Sequence, residues 1–391
     1  MLLLEADGKV LFREAGIATP RGMRFRDAPG GAVLPGVGPW IAKAQVPVGG
    51  RGKAGGVRPV ATAAELPTIL QALLGLRIKG CDTREVLVEE MSGGPEHYLA
   101  LMVDAAAGGV RLIYSPHGGM DVESQAAHGE RGFSEVLPLD AEALEAAAGR
   151  MADRVAGTQR AGLLDLCRRL IALFLSRQLM LAEINPLFAQ PDGRFVAGDA
   201  KVVIDMNTLA AQPVLRGILS DGRALYPDAW RKLSQDFDFV EIDPAGQVGL
   251  VTTGAGLSMM LIDELVAQGL TPNNFCDMRT GQMRGSPARL LQIFDWLAAA
   301  RDVRVVLVNI FAGITDLSEF AQLLVDALRE RPGFRLPLVV RLVGNGEAVA
   351  RDIIVAHPDL GIAFEPDLER AIALTAERLR TVSRKEALDA V

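Results

Sequence analysis

The sequence predicts an α/β protein whose C-terminal half is a doubly wound parallel sheet. From Val248 onward, apolar runs near 248–253, 303–310, 337–342 and 361–364 alternate with helical stretches. Two of these strands run directly into small-residue turns, Thr253-Gly254-Ala255-Gly256 and Phe311-Ala312-Gly313-Ile314, where ligands sit in such folds. The N-terminal half has a different texture, with strands that return on themselves and a loop holding five glycines in eight residues, Gly49 to Gly56.

Taken in order, residues 7–16 form a helix that ends at Gly16. Residues 39–46 form a strand leading into the glycine loop. Residues 62–75 suit a helix with a Thr62–Glu65 capping-box pattern and a shared Leu66, Ile69, Leu70, Leu73 face, although Pro67 falls inside its first turn. Strands follow at 85–90, 97–103 and 110–115, then helices at 140–156 and 159–178. Residues 180–188 form a strand, Pro191-Asp192-Gly193-Arg194 a hairpin turn, and Phe195 to Lys201 the returning strand. The stretch from about 206 to 245 mixes polar, aromatic and proline residues and reads as a connector. Beyond it, the strands named above are joined by helices running to Gln268 and at about 286–300, 316–330, 346–356 and 367–383.

Composition narrows the class. With 391 residues, 49% apolar content and a net charge of −7, the chain reads as a mildly acidic globular protein of two or three domains. That balance argues against a nucleic-acid binder. No run reaches the roughly 18 apolar residues of a membrane span, and the N-terminus lacks a basic, cleavable leader pattern. Cys81, Cys167 and Cys276 form no CxxC and read as reduced thiols in a cytoplasmic protein. The four histidines match no zinc spacing.

Four constellations bear on chemistry. Lys43 with Gly50, Arg51 and Gly52 suits a phosphate cradle of backbone amides and cationic charge; a mobile surface turn is the alternative, and GxxxxGK[ST] is absent. Glu89, with Glu96 a few residues on, offers strand-end carboxylates for an adenine amino group or ribose hydroxyls, or simply a solvated strand end. Glu183 and Asn185 point to one face of their strand, and Asp199 follows across the turn. Asn185 and Asp199 supply hard oxygens suited to a Mg²⁺ that keeps waters and phosphates as its other ligands. The alternative is a surface hairpin, against which Met180, Leu181 and Leu187 argue for burial. Lastly, Thr253-Gly254-Ala255-Gly256 and Asn309 to Ile314 suit an anion at a helix N-terminus, or tight packing turns; no GxGxxG fingerprint is present.

Together the stretches Gly49 to Val57, Leu181-Ala182-Glu183-Ile184-Asn185-Pro186-Leu187, Thr253 to Leu257, Asn273-Asn274-Phe275, Val306 to Phe311, Val339 to Leu342 and Gly344-Asn345 resemble the β subunit of succinate–CoA ligase and related ADP- or GDP-forming acid–thiol ligases. The resemblance spans nearly the whole chain. It implies an N-terminal ATP-grasp domain over 1–240 and a flavodoxin-like CoA-ligase domain over 241–391. It also implies ATP or GTP bound by Lys43, Gly50, Arg51, Gly52, Glu89, Ser92 and Glu96, and Mg²⁺ on Asn185 and Asp199. Glu183 falls on the glutamate that steadies a phosphorylated histidine in the family, and Thr253, Ala312, Gly313 and Ile314 fall at the acid site. The segment from Glu89 to Glu96 is one residue shorter than in the family. The histidine belongs to an α subunit, which also binds most of the CoA; His117, before Gly118-Gly119, reads here as a loop residue. The implied partners are therefore that subunit and a small carboxylic acid.

Departures from the family cluster in the C-terminal half. Met278 to Gly285 replaces a triple-glycine loop, Thr253 an asparagine, Ala312 a glycine, and Thr315-Asp316-Leu317-Ser318 a stretch that carries an arginine. The nucleotide half is intact. The pattern points to retained phosphoryl chemistry and to an acid other than plain succinate, such as malate, a sulfonated acid or another short carboxylate. Arg279 and Arg284 either read an anionic group of that acid or pair with surface carboxylates. Two further readings remain open: a different ATP-grasp carboxylate ligase, and a non-catalytic or regulatory subunit.

Overall fold

The computed structural model describes residues 1–31, 33–118, 132–155, 157–235, 237–283, 285–313 and 315–389, with side chains described to residue 382. The chain divides into two units, Met1–Asp221 and Gly222–Val391. Among the described residues no helix is long and apolar enough to cross a membrane.

The first unit holds two main sheets. In the smaller, β1 (Gly22–Phe25), β2 (Trp40–Ala44), β3 (Val57–Val60) and β6 (Val86–Glu90) run antiparallel in the order β1–β6–β2–β3. The helix Leu66–Leu74 packs Leu66, Leu70 and Leu73 onto it, against Ala42, Val60, Val86 and Val88. A 3-10 turn, Ala63–Glu65, occupies what the sequence reads as the helix's first turn. Pro67 falls at the start of the α-helix, where its missing N–H costs nothing. Between them, β4 (Arg77–Ile78) and β5 (Cys81–Asp82) form a small hairpin whose turn residues Lys79 and Gly80 have φ of 47° and 84°.

The larger sheet joins β7 (Glu96–Asp104), β8 (Gly109–Ser115), β9 (Phe133–Leu137), β10 (Leu179–Ala189), β11 (Phe195–Ala197) and β12 (Lys201–Ile204), in the order β11–β10–β7–β8–β9, with β12 also on β10. The returning strand expected from Phe195 to Lys201 is interrupted at Gly198-Asp199-Ala200. Opposite the break, the pairing of β10 with β7 shifts register between Ile184 and Leu187. Gly198 donates its N–H to the Pro186 carbonyl at 2.9 Å, and a Cβ there would fall 2.4 Å from the Phe188 ring. Only glycine fits, and the break takes Asp199 out of the ladder.

In the second unit β14 (Val248–Thr252), β16 (Val305–Ala312), β17 (Leu338–Gly344) and β18 (Ala363–Phe364) form a parallel sheet. Strand β15 (Asn274–Asp277) pairs antiparallel with β13 (Asp238–Glu241). It also flanks β14, where the Asn274 side chain donates to the Leu250 carbonyl and accepts from its N–H, at 2.9 and 2.8 Å, in place of a backbone ladder. The spatial order β15–β14–β16–β17–β18 is that of flavodoxin-like sheets. Helices cover both faces. Ala288–Ala299, Leu317–Glu330 and Glu347–Val355 contribute to one apolar layer, and Ala255–Ala267 and Leu368–Asp389 to the other. β16 is buried at every position but Phe311, as a central parallel strand requires. The presumed connector holds regular structure: Met206–Ala211 is a 3-10 helix, Pro213–Asp221 and Pro227–Gln235 are α-helices, and β13 follows. Proline opens both α-helices, a position it tolerates well, although in sequence it reads as a breaker.

Candidate functional site

Two neighbouring strands and one helix build the centre of the first unit. Ile41 pairs with Glu89 across β2 and β6, so Lys43, two residues on, shares a face with Glu89. The helix Glu5–Glu14 brings Glu5 and Lys9, one turn apart, against the same face. Its Gly8 lets it approach closely, since a Cβ there would fall 3.1 Å from that of Ala200.

The result is a buried network of alternating charge. Lys43 Nζ donates to Glu5 Oε1 at 2.8 Å and to the Gly198 carbonyl at 2.7 Å, and lies 2.6 Å from Glu89 Oε1. Lys9 Nζ lies 2.8 Å from Glu5 Oε1, donates to both Glu89 oxygens at 2.7 Å, and reaches the same Gly198 carbonyl at 2.9 Å. Arg51 Nη2 donates to Glu5 Oε2 at 2.8 Å and to Asp199 Oδ1 and Oδ2 at 3.2 and 3.3 Å. Glu5, Lys9 and Glu89 are 3%, 1% and 1% exposed, so each charge depends on its partners. Burial works to raise the Glu5 pKa, but Lys43, Lys9 and Arg51 outweigh it and hold the carboxyl well below its usual range. Burial likewise opposes the charged forms of Lys43 and Arg51, yet Glu5 with Glu89 and Asp199 drives the Lys43 pKa up, and Glu5 with Asp199 drives that of Arg51 up. Lys9 moves the other way: burial, aided by Lys43, lowers it despite Glu5, Glu89 and Asp199.

Above this network opens a cleft of about 680 Å³, lined by Glu5, Gly49 to Lys53, Lys79, Glu96, Glu183, Asn185, Asp199 and Lys201 among others. The structure thus brings Gly50, Arg51, Gly52, Glu96, Glu183, Asn185 and Asp199 to one cavity from four separate chain segments. Lys43 and Glu89 lie beneath its lining, engaged with each other. Ser92, in the β6–β7 loop, is not part of the lining. Lys201 Nζ donates to Glu183 Oε2 at 3.0 Å. Among the described residues no group of three or more His, Cys, Asp or Glu side chains is arranged to hold a metal ion. The Asn185 and Asp199 oxygens are hard donors and fit a divalent cation that fills its other positions with water and phosphate oxygens. Glu5, Lys9, Lys79 and Lys201 are residues that sequence reasoning did not single out. Glu5, Lys9 and Phe12 occupy i, i+4 and i+7 of one buried helix face. Charges at those positions are the signal that could have found the first two.

In the second unit Thr253, Ala312 and Gly313 stand at the carboxyl ends of β14 and β16, where the strand order reverses. Thr253 Oγ1 lies 3.4 Å from Thr280 Oγ1, which lies 3.1 Å from Thr315 Oγ1. The Gly254 N–H, which precedes the helix Ala255–Ala267, donates to Asp277 Oδ1 at 2.8 Å. Arg279 pairs with Asp238 at 3.2 Å. Ile314 and Arg284 lie outside the described residues.

The first unit thus carries a glycine-loop cleft, and the second a parallel sheet with a switch point. Residues 2–189 match the ATP-grasp domain family and residues 251–355 the CoA-ligase family. The chain is 32% identical over 399 residues to the succinate–CoA ligase [ADP-forming] subunit beta of Desulfurococcus amylolyticus, covering 98% of this chain and all of that one (100%). It is 35% identical over 390 residues to the subunit of the same name from Halorhodospira halophila, covering 95% and 97%. It is 34% identical over 340 residues to the [GDP-forming] subunit beta of Thermus thermophilus, covering 86% and 87%. Among solved structures, Methanosaeta concilii ATP citrate lyase in complex with (3S)-citryl-CoA superposes with a TM-score of 0.72 over 96% of this chain and 99% of that one, at 16% identity, a likeness of fold.

The chain belongs to the succinate–CoA ligase β-subunit family.

Proposed function

We propose that this chain is the nucleotide-binding subunit of an acid–CoA ligase. It acts with Mg²⁺ and ATP or GTP, and with an α subunit that carries a phosphohistidine and most of the CoA site. The observation that carries the reading is the convergence of Gly50, Arg51, Gly52, Glu183, Asn185 and Asp199 on one cleft. Loop amides and Arg51 receive the nucleotide phosphates. Asn185 and Asp199 would hold the metal, which would supply positive charge to the phosphate oxygens. Lys43 sits one layer below. It donates to Glu5 and Gly198 and forms an ion pair with Glu89, so it sets the charge of the floor or exchanges one partner for a phosphate oxygen. Glu183, now paired with Lys201, orients the partner's histidine once that side chain enters.

The reaction sequence the family implies is phosphoryl transfer from nucleotide to the partner's histidine, transfer to the acid to give an acyl phosphate, and attack by CoA with release of phosphate. The hydroxyls of Thr253, Thr280 and Thr315, beside Ala312 and Gly313, support an acid site at the second unit's switch point. Purified chain, mixed with an α-type subunit of the family and labelled ATP, is expected to place an acid-labile phosphate on a partner histidine. Calorimetry on the isolated chain should show Mg²⁺-dependent nucleotide binding that disappears in Asp199→Ala. No binding at millimolar nucleotide would overturn the proposal. A panel of short carboxylic acids, scored by thioester formation, identifies the acid.

A further inference from the structure

Arg51 is tied to two carboxylates with different destinies. Glu5 keeps Lys43 and Lys9 as partners whatever Arg51 does. Among the described residues Asp199 is otherwise bonded only locally, through the Ala200 N–H to Oδ1 at 2.7 Å, and it is the one carboxylate of the proposed metal pair. The Arg51 guanidinium lies on both of its oxygens, at 3.2 and 3.3 Å. In the network the cations Lys9, Lys43 and Arg51 face the carboxylates Glu5, Glu89 and Asp199, so charge is already balanced. A dication arriving alone meets a compensated carboxylate and a neighbouring positive charge. A dication arriving with phosphates does not, because their oxygens offer Arg51 a second anionic partner. The loop backbone need not unfold for this exchange. It is bonded internally, Gly56 N–H to the Arg51 carbonyl at 2.9 Å, and a side-chain rotation moves the guanidinium.

We infer that Arg51 is an internal counter-cation for Asp199 that couples metal binding to nucleotide binding: it occupies the carboxylate in the free protein and gives it up only when nucleotide phosphates draw the guanidinium away. The inference rests on the nucleotide–metal reading above. It makes binding of the two ligands mutually reinforcing, with Arg51 carrying the coupling, and by linkage the effect is the same in both directions.

The test is Mn²⁺ titration of the full chain, followed by electron paramagnetic resonance, with and without ADP. Wild type is expected to bind Mn²⁺ weakly alone and more tightly with ADP. Arg51→Met is expected to bind Mn²⁺ alone at least about tenfold more tightly, since a unit charge beside the ligand carboxylate has gone. Its metal–nucleotide coupling factor should fall toward one, and Arg51→Lys should restore part of the coupling. Asp199→Asn in the Arg51→Met background should abolish the gain, which places the ion on Asp199. Arg51→Gln, which keeps a donor for Glu5, repeats the measurement should Arg51→Met fold poorly. Unchanged Mn²⁺ affinity and unchanged coupling in both neutral variants overturn the inference. Failure of wild type to bind ADP overturns the functional proposal instead, and the nucleotide-free Mn²⁺ comparison still decides the role of Arg51.

Discussion

The two units carry their candidate sites on opposite kinds of foundation. The floor of the cleft in the first unit is a lattice of charge, Lys9, Lys43, Arg51, Glu5, Glu89 and Asp199, in which opposite charges face one another. Beneath the switch point of the second unit lies an apolar sheet, Val251, Val306, Val308, Ile310 and Val340, packed on Leu324 and Phe320. Its polar edge is a chain of hydroxyls. A charged foundation fails as a whole when one member is removed; an apolar one fails in proportion to the volume removed. The first constrains sequence tightly, because each buried charge needs its partners in place. The second tolerates exchange at its rim, where Thr253 and Ala312 lie at the strand ends.

The sharpest way to break this contrast is Glu5→Ala. It strands Lys9, Lys43 and Arg51 around one missing carboxylate. Removing one partner of a buried pair costs about 3–5 kcal/mol, read as a lower urea midpoint and faster exchange of amides in the first unit. A cost under about 1 kcal/mol, the level of an exposed pair, would mean the network is solvated and the contrast false. The matching change in the second unit is Leu324→Ala in the helix Leu317–Glu330, buried and without polar partners. It is expected to cost about 2–5 kcal/mol through lost burial and a cavity, with nucleotide binding to the first unit intact.

Acid provides a third, graded test. The Glu5 carboxyl is held well below its usual range by Lys43, Lys9 and Arg51 against burial. Its folded pKa is depressed, so its contribution is present above the unfolded value and lost as pH falls through the lower, folded one. Lys43 has the opposite sign: raised against burial by Glu5 and Glu89, it contributes below the ordinary lysine value and loses that contribution as pH rises through its folded pKa. Amide exchange as a function of pH should therefore show the first unit loosening at both extremes. Loosening of the second unit alone at low pH would contradict the assignment of the charged foundation.

How much of this was legible in the sequence follows the same division. The parallel sheet of the second unit could be read from its alternation, because a buried parallel strand is a continuous apolar run, as Val305 to Ile310 shows. The Glu183–Asn185–Asp199 grouping could be read from period-two spacing and a hairpin turn. The partners of Lys43 could not, because Glu5 and Lys9 belong to a short helix whose charges look like a solvated face until Phe12 shows which side is buried. Nor could β15, which flanks β14 through the Asn274 side chain rather than a regular ladder. The helices Pro213–Asp221 and Pro227–Gln235 were hidden by the prolines that begin them.

The smallest expected effect sharpens the comparison at the rim. Thr280 is 6% exposed, and its hydroxyl links Thr253 to Thr315. Thr280→Val keeps the shape and removes that oxygen, with an expected stability cost of about 1 kcal/mol. If the hydroxyls belong to the acid site, the variant raises KM for the acid and leaves KM for the nucleotide unchanged, since uniform binding of one substrate is lost. If they serve packing alone, both constants hold while stability falls. The split between the two constants, more than the size of either, separates a rim that chooses the acid from one that merely closes the sheet.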